Sequence, residues 1–330
     1  MKTIAFFNNK GGVGKTSLVY HAAWMFAELG YRALAVDLDP QSNLSIMAVD
    51  DDRFEDLWPE TGVSKTIFGA VKPLFEGTGD VREAHLEGLS KGLLNLLVGD
   101  LALSGIEDDL SIEWPRCLEG KDRAFRVTSA FWRVIKDAAE RASAEVVLIN
   151  VGPNLGSINR AALVASDYVV IPVTSDLFSL QGLKNLGPAL LNWRSTWEKA
   201  KGNANLELGI QPNGRMEPIG YVSMQHVERL YRPVKAYAKW QSRMPEAYRS
   251  SVLREQIEAP LNGVDPFQLG VIKHFRSLMP MAMEARKPMF KLKAADGAIG
   301  AHQASVQQCF DDFQRLVTEI IARTGIELNH

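Results

Sequence analysis

Residues 10–17, Lys-Gly-Gly-Val-Gly-Lys-Thr-Ser, concentrate backbone donors, amines and hydroxyls in one short stretch. Gly11, Gly12 and Gly14 have no side chains, so successive N–H groups around Val13 can turn inward on phosphate oxygens at the start of a helix. Lys15 adds a mobile positive charge. Thr16 offers a hydroxyl of the kind such loops place on Mg²⁺, and Ser17 completes the candidate nucleotide-binding residues of the loop. Further along, Asp37 and Asp39 bracket a leucine before Pro40. A carboxylate at 39, just past a strand, can orient a water or join a Mg²⁺ shell. The apolar run Val146 to Ile149 then ends in Asn150, where nucleotide hydrolases usually place a metal-shell aspartate. An amide accepts a hydrogen bond but carries no charge, so weaker metal retention and slow hydrolysis are expected.

These groups need a scaffold, and the apolar pattern supplies one. Residues 3–7 read as a strand, residues 17–29 as a helix stopped by Gly30, and residues 33–37 as a second strand. Strand, glycine turn, helix and strand make a βαβ unit, which predicts a mainly parallel sheet flanked by helices. Val127, Phe131, Val134 and Ala138 mark another amphipathic helix feeding the 146–149 strand, and strands follow at 168–173 and 219–222. The stretch 50–126 reads as helices and loops capping one edge. Residues 227–262 read as an added basic helical segment, and 303–323 as a closing helix. The expected fold class is therefore α/β, a P-loop NTPase-like twisted sheet with a helical insertion, the whole of 1–330 forming one domain.

Composition narrows the function classes. The chain has 330 residues, 46% of them apolar, enough to bury a core. Lys plus Arg number 37 against 39 acids, so a polyanionic partner would need a local basic patch. Two distant cysteines, Cys117 and Cys309, argue against disulfide scaffolds and cysteine metal sites and for a reducing, cytoplasmic setting. The longest apolar run is six residues, Ala22 to Ala27, and Met1-Lys2 leads straight into a strand, so neither a membrane span nor a signal peptide is expected. No histidine pair, His274 and His302 included, shows metal spacing, and neither Ser157 nor Cys309 has a base partner in the sequence.

Such a patch exists. Arg232, Lys235, Lys239 and Arg243 recur at three- and four-residue steps, lining one face of a helix with Tyr231, Tyr237 and Trp240 interleaved. Phosphate contacts by this stripe would give sequence-independent, salt-sensitive DNA binding. The closing helix sets Val306, Phe310, Phe313, Val317 and Ile320 on one side against a largely acidic other side, unsuited to anionic lipid.

The loop departs from the ordinary phosphate-binding pattern in having Asn9 where glycine is usual and Lys10 before the glycines. In this, KGGVGKTS resembles the deviant Walker A loop of the ParA/MinD family. The resemblance continues through VDLDPQSN at 36–43, LLVGDLALSGIEDDL at 96–110 and PNLGSINRAALVASDYVVIPV at 153–173, covering most of residues 1–190. It implies an ATP- and Mg²⁺-dependent homodimer in which Lys10 reaches the partner's phosphates, Asp39 is associated with the attacking water and Asp37 lies nearer the metal. It also implies adenine contacts near Met224 and Gln225, non-specific DNA binding that includes Arg276, a nucleoid location, and a ParB-like or adaptor protein that stimulates hydrolysis. Such a switch would partition or position a plasmid, chromosome or other cargo. The alternative is an ATP-dependent biosynthetic ligase of the cobyrinic acid amidase or dethiobiotin synthetase kind, which shares the loop and would need a substrate pocket of dedicated polar residues.

Overall fold

In the computed structural model, residues 1–59, 62–205, 209, 211–225, 239–255 and 265–328 are described. Among these described residues eight strands follow in chain order: β1 (Lys2–Phe6), β2 (Ala33–Leu38), β3 (Glu87–Ser90), β4 (Leu94–Leu97), β5 (Val146–Val151), β6 (Tyr168–Thr174), β7 (Glu217–Met224) and β8 (Gln268–Ile272). They form one sheet in the order β3-β4-β2-β5-β1-β6-β7-β8, parallel throughout except for the β3–β4 pair. Every residue of β2, β5 and β6 is buried, as expected of parallel strands covered on both faces.

Alternation along the strands divides the apolar residues between two cores. Ile4 and Phe6 of β1 enter one core with Val146 and Leu148, while Ala5 and Phe7 enter the other with Val147 and Ile149. The first core is closed by α1 (Lys15–Glu28) and by the final helix, Ala301–Thr324, which buries Phe313, Leu316, Val317 and Ile320. The expected closing helix thus packs on the core. Among the described residues no helix is long and apolar enough to cross a membrane. The opposite core is covered by helices that include Glu107–Cys117, Ala130–Arg141, Ser157–Val164 and the long helix Leu177–Lys201.

The stretch 50–126 differs from its expectation as helices and loops. It holds β3 and β4, and β4 pairs with β2 from Ala33–Leu94 to Val36–Leu97, extending the sheet by two strands. Four-residue strands carry too little period to show in the sequence, and the burial of Leu94, Leu96 and Leu97 is what anchors the pairing. In the 227–262 segment, residues 239–255 are described and include helical turns at Met244–Ala247 and Tyr248–Leu253. Arg232 and Lys235 lie outside the described residues.

Candidate nucleotide site at the carboxyl edge

Because β1, β2 and β4–β8 run in the same direction, the loops after them share one edge of the sheet. The loop after β1 is held from its first limb. The Asn8 amide donates to the Pro172 carbonyl at 2.7 Å, and its Oδ1 accepts from the Lys10 N–H at 3.0 Å. Gly12 (φ 72°) and Gly14 (φ 80°) then take the left-handed conformation that glycine adopts without strain. A Cβ on residue 14 would lie 3.0 Å from Met224 Cε, the end of a flexible side chain, so it is the left-handed backbone that favours glycine there. Gly14 begins α1, and no side chain caps that end and no acid sits in its first turn. The first N–H groups of α1 and its positive dipole end are therefore available to an anion.

Lys15 follows with 7% of its surface exposed. Burial draws its amine below the ordinary lysine range, opposed by the nearby Asp39 and Asp37 carboxylates. Asp37 and Asn150 are register partners on the adjacent strands β2 and β5. Asn150 Nδ2 donates to Asp37 Oδ1 at 2.9 Å, which turns Asn150 Oδ1 toward Thr16 Oγ1, 3.5 Å away. The other carboxylate oxygen of Asp37 accepts from the Ser45 N–H and hydroxyl, both at 2.9 Å. Asp37 thus has both oxygens bonded inside the protein, one to Asn150 and the other to Ser45. Burial raises its pKa to about 6, against the lowering effect of those hydrogen bonds.

Asp39 is buried, with Oδ1 accepting from the Gln41 N–H at 3.0 Å. The loop after β5 runs beside it: a Cβ on Gly152 would lie 3.6 Å from that same oxygen. The buried Asn159 staples this loop, accepting from Gly152 N at 3.0 Å and donating to the Gly152 and Asn154 carbonyls at 2.9 and 2.8 Å. Ser45, Gly152 and Asn159 are contributors the sequence did not single out, because their role depends on which strand lies beside which.

A Mg²⁺ ion fits the donors present. Among the described residues no three His, Cys, Asp or Glu side chains group as a protein-only metal site. The Thr16 hydroxyl and the Asn150 amide oxygen, side by side at the phosphate loop, instead suit a hard cation shared with phosphate oxygens.

Lys10 is folded back within its own chain, paired with Asp176 and bonded to Thr174 Oγ1 at 2.8 Å. Met224 reaches Gly14, and the Gln225 N–H donates to the Ile272 carbonyl at 2.9 Å, so both sit where β7 meets the phosphate loop and β8. Of the DNA candidates, Lys239 and Arg243 lie over the Trp240 ring at 5.3 and 5.5 Å. Arg276 lies beyond the end of β8. A cavity of about 460 Å³ lies at the opposite, amino edge, lined by Thr3, Arg32, Trp132, Lys136 and Asp167 among others, and no phosphate-site residue lines it.

Residues 1–202 match the family model described as an AAA domain. The chain is 32% identical to protein IncC of Escherichia coli over 254 residues, which is 76% of this chain and 60% of IncC. It is 28% identical to the chromosome partitioning protein ParA of Caulobacter vibrioides over 216 residues, 64% of this chain and 67% of that protein. The crystal structure of protein DIP2308 from Corynebacterium diphtheriae shares the fold at a TM-score of 0.72, with 23% identity over 98% of each chain. The chain thus spans about three-fifths of IncC's length. With the deviant loop, the flanking βαβ unit and these relatives in agreement, the chain belongs to the ParA/MinD family of P-loop ATPases.

Proposed function

We propose that this chain is an ATP-dependent dimerising switch that binds DNA non-specifically in its ATP state and so partitions or positions a plasmid, chromosome or other cargo. One observation carries the reading. The edge that holds the uncapped α1 N-terminus and buried Lys15 also carries Leu101, Leu155, Leu177 and Phe178, exposed by 71, 38, 54 and 72% after strands β4, β5 and β6. Large apolar side chains ringing a charged phosphate loop suit a face that a second copy covers.

In this reading the 11–14 backbone and Lys15 hold the phosphates in cis, and Lys10 supplies a cation to the partner's nucleotide. A second cation brought in by assembly would stabilise charge developing on the γ-phosphoryl oxygens, coupling hydrolysis to closure. Thr16 and Asn150, with the Asp37 and Asp39 carboxylates on the metal side, would hold Mg²⁺, which when bound neutralises phosphate charge. Asp39 accepts a hydrogen bond from the attacking water and aligns it. Slow turnover follows from the neutral Asn150. Lys239, Arg243 and Arg276, with Arg232 and Lys235, would meet DNA phosphates, and a ParB-like or adaptor protein would stimulate hydrolysis. The ligase alternative gains no support from the amino-edge cavity, which no phosphate-site residue lines.

The test is mass by light scattering with and without ATP and Mg²⁺, followed by DNA retention in the same buffer over a salt series. The expected result is a doubled mass with ATP and DNA retention that needs ATP and falls steeply as salt rises. A chain that stays monomeric at saturating ATP overturns the proposal.

A further inference from the structure

Lys10 does not lie loose in solvent. Its ammonium has three N–H donors, and three oxygens meet it: Thr174 Oγ1 at 2.8 Å, Ser179 Oγ at 3.4 Å and Asp176 Oδ2. These acceptors are held in place by bonds of their own. Thr174 Oγ1 donates to Asp176 Oδ2 at 2.6 Å, the Ser179 N–H to Asp176 Oδ1 at 2.9 Å, and the Thr174 N–H to Ser179 Oγ at 3.1 Å. The cradle's acceptors are thus tied to one another by bonds that do not pass through the lysine. Its charged groups are half-dry, with side-chain exposures of 24% for Lys10 and 17% for Asp176. Burial opposes ionisation of Asp176, yet the bonds from Lys10, Thr174 and Ser179 hold its carboxyl below the usual carboxylate range.

The cradle is also joined to the phosphate loop and to the apolar rim. A Cβ on Gly182, in the first turns of the same helix, would lie 3.1 Å from both Asn8 Oδ1 and Asn9 Oδ1, so this helix start rests on the limb that carries Lys10. Leu177 and Phe178 come directly after Asp176 and are exposed. An amine bound here cannot at the same time neutralise a phosphate in another protomer.

We propose that Asp176, supported by Thr174 and Ser179, is a positioning residue that retains Lys10 within its own protomer and so sets the nucleotide level at which two copies close. The proposal rests on the reading above, that Lys10 acts in trans. Closure would cover Leu177 and Phe178 and draw Lys10 out of the cradle at one place.

Asp176→Asn removes the charge and keeps an oxygen able to cap the helix, so the fold is preserved. Two measurements separate this proposal from the one it rests on. In the nucleotide-free monomer, brief treatment with acetic anhydride followed by peptide mass spectrometry reads the accessibility of Lys10, with the exposed Lys199 as internal reference. Lys10 should be acetylated about fivefold faster in Asp176→Asn, the loss of a modest, partly dry ion pair. By light scattering, the variant should dimerise at about fivefold lower ATP than the parent, and adding Lys10→Ala to each should erase the difference between the parent and the Asp176→Asn variant. Unchanged acetylation overturns the cradle. An unchanged or raised ATP requirement, in a protein whose parent dimerises and whose Lys10→Ala variant does not, overturns the positioning role and leaves the switch intact. A parent that never dimerises, with faster acetylation in the variant, overturns the switch and with it the regulatory part of this inference.

Discussion

The two edges of the same sheet treat their charges in opposite ways. At the amino edge, polar groups are consumed by one another: Asp167 accepts from the Thr3 N–H and hydroxyl at 3.0 and 2.9 Å, and Glu145 accepts from the Arg32 N–H at 2.8 Å and its guanidinium at 3.4 Å. At the carboxyl edge, Lys15 is buried and drawn below its ordinary range, Asp37 is buried and raised to about 6, and the α1 N-terminus has no side-chain cap. One edge is finished by the fold. The other pairs Asp37 and Lys10 internally but leaves Lys15 and the α1 N-terminus open to a bound anion, as expected where open α/β sheets bind their ligands.

Three substitutions put the difference between the edges to the test. Lys15→Ala should weaken ATP binding about a hundredfold, the cost of removing a buried cation from a phosphate site, with circular dichroism unchanged. Isothermal titration with ATP and Mg²⁺ checks it, and an affinity near the parent's would show that the carboxyl edge does not hold phosphate through this residue.

Asn150→Asp should raise ATP turnover about tenfold in saturating Mg²⁺ by restoring a charge at the metal side. The structure adds a second consequence. The Asn150 amide donates to buried Asp37 at 2.9 Å, and a carboxylate in its place would face another carboxylate. The variant should therefore melt lower than the parent without Mg²⁺ and recover when it is added. Phosphate release together with melting in the presence and absence of the ion decides this, and no gain in turnover would remove Asn150 from the account of slow hydrolysis.

Asp167→Ala, at the other edge, should cost about 1–3 kcal/mol of stability, because two Thr3 donors lose their acceptor. Its ATP affinity should stay within about twofold of the parent, since a distant structural site carries none of the binding. If this change weakened ATP as much as the loss of Lys15 does, the division between edges would be wrong.

Particular residues show why some of this was legible in the sequence and some was not. The phosphate loop could be read because glycine conformation, helix start and charge are all encoded within a few neighbouring positions, 11 to 16. The Asp37–Asn150 pair was visible only as two strand ends, since their bond requires β2 to lie beside β5. The long helix Leu177–Lys201 carries apolar residues at three- and four-residue steps, Leu180, Leu183, Leu186, Leu190, Trp193 and Trp197, but Gly182, Gly187 and Pro188, all poor helix residues, obscure it in the sequence. Tertiary packing explains the glycines. A Cβ on Gly187 would fall 1.9 Å from the Ser251 carbonyl oxygen, and Gly182 closes on Asn8 and Asn9. The Asp176 cap three residues before Ser179 was a signal available for that helix start.

The chain's order of residues alone determined the βαβ core, the loop that can cradle phosphate and the extra amine before it, because backbone conformation and helix ends answer to nearest neighbours. Only the folded molecule decided that β4 extends the sheet beside β2, that Asp37 spends both oxygens on Asn150 and Ser45, and that Lys10 rests against Asp176. Those partners stand 113, 8 and 166 residues from the groups they bind, and contacts across such separations are chosen by packing and burial, which no local pattern records.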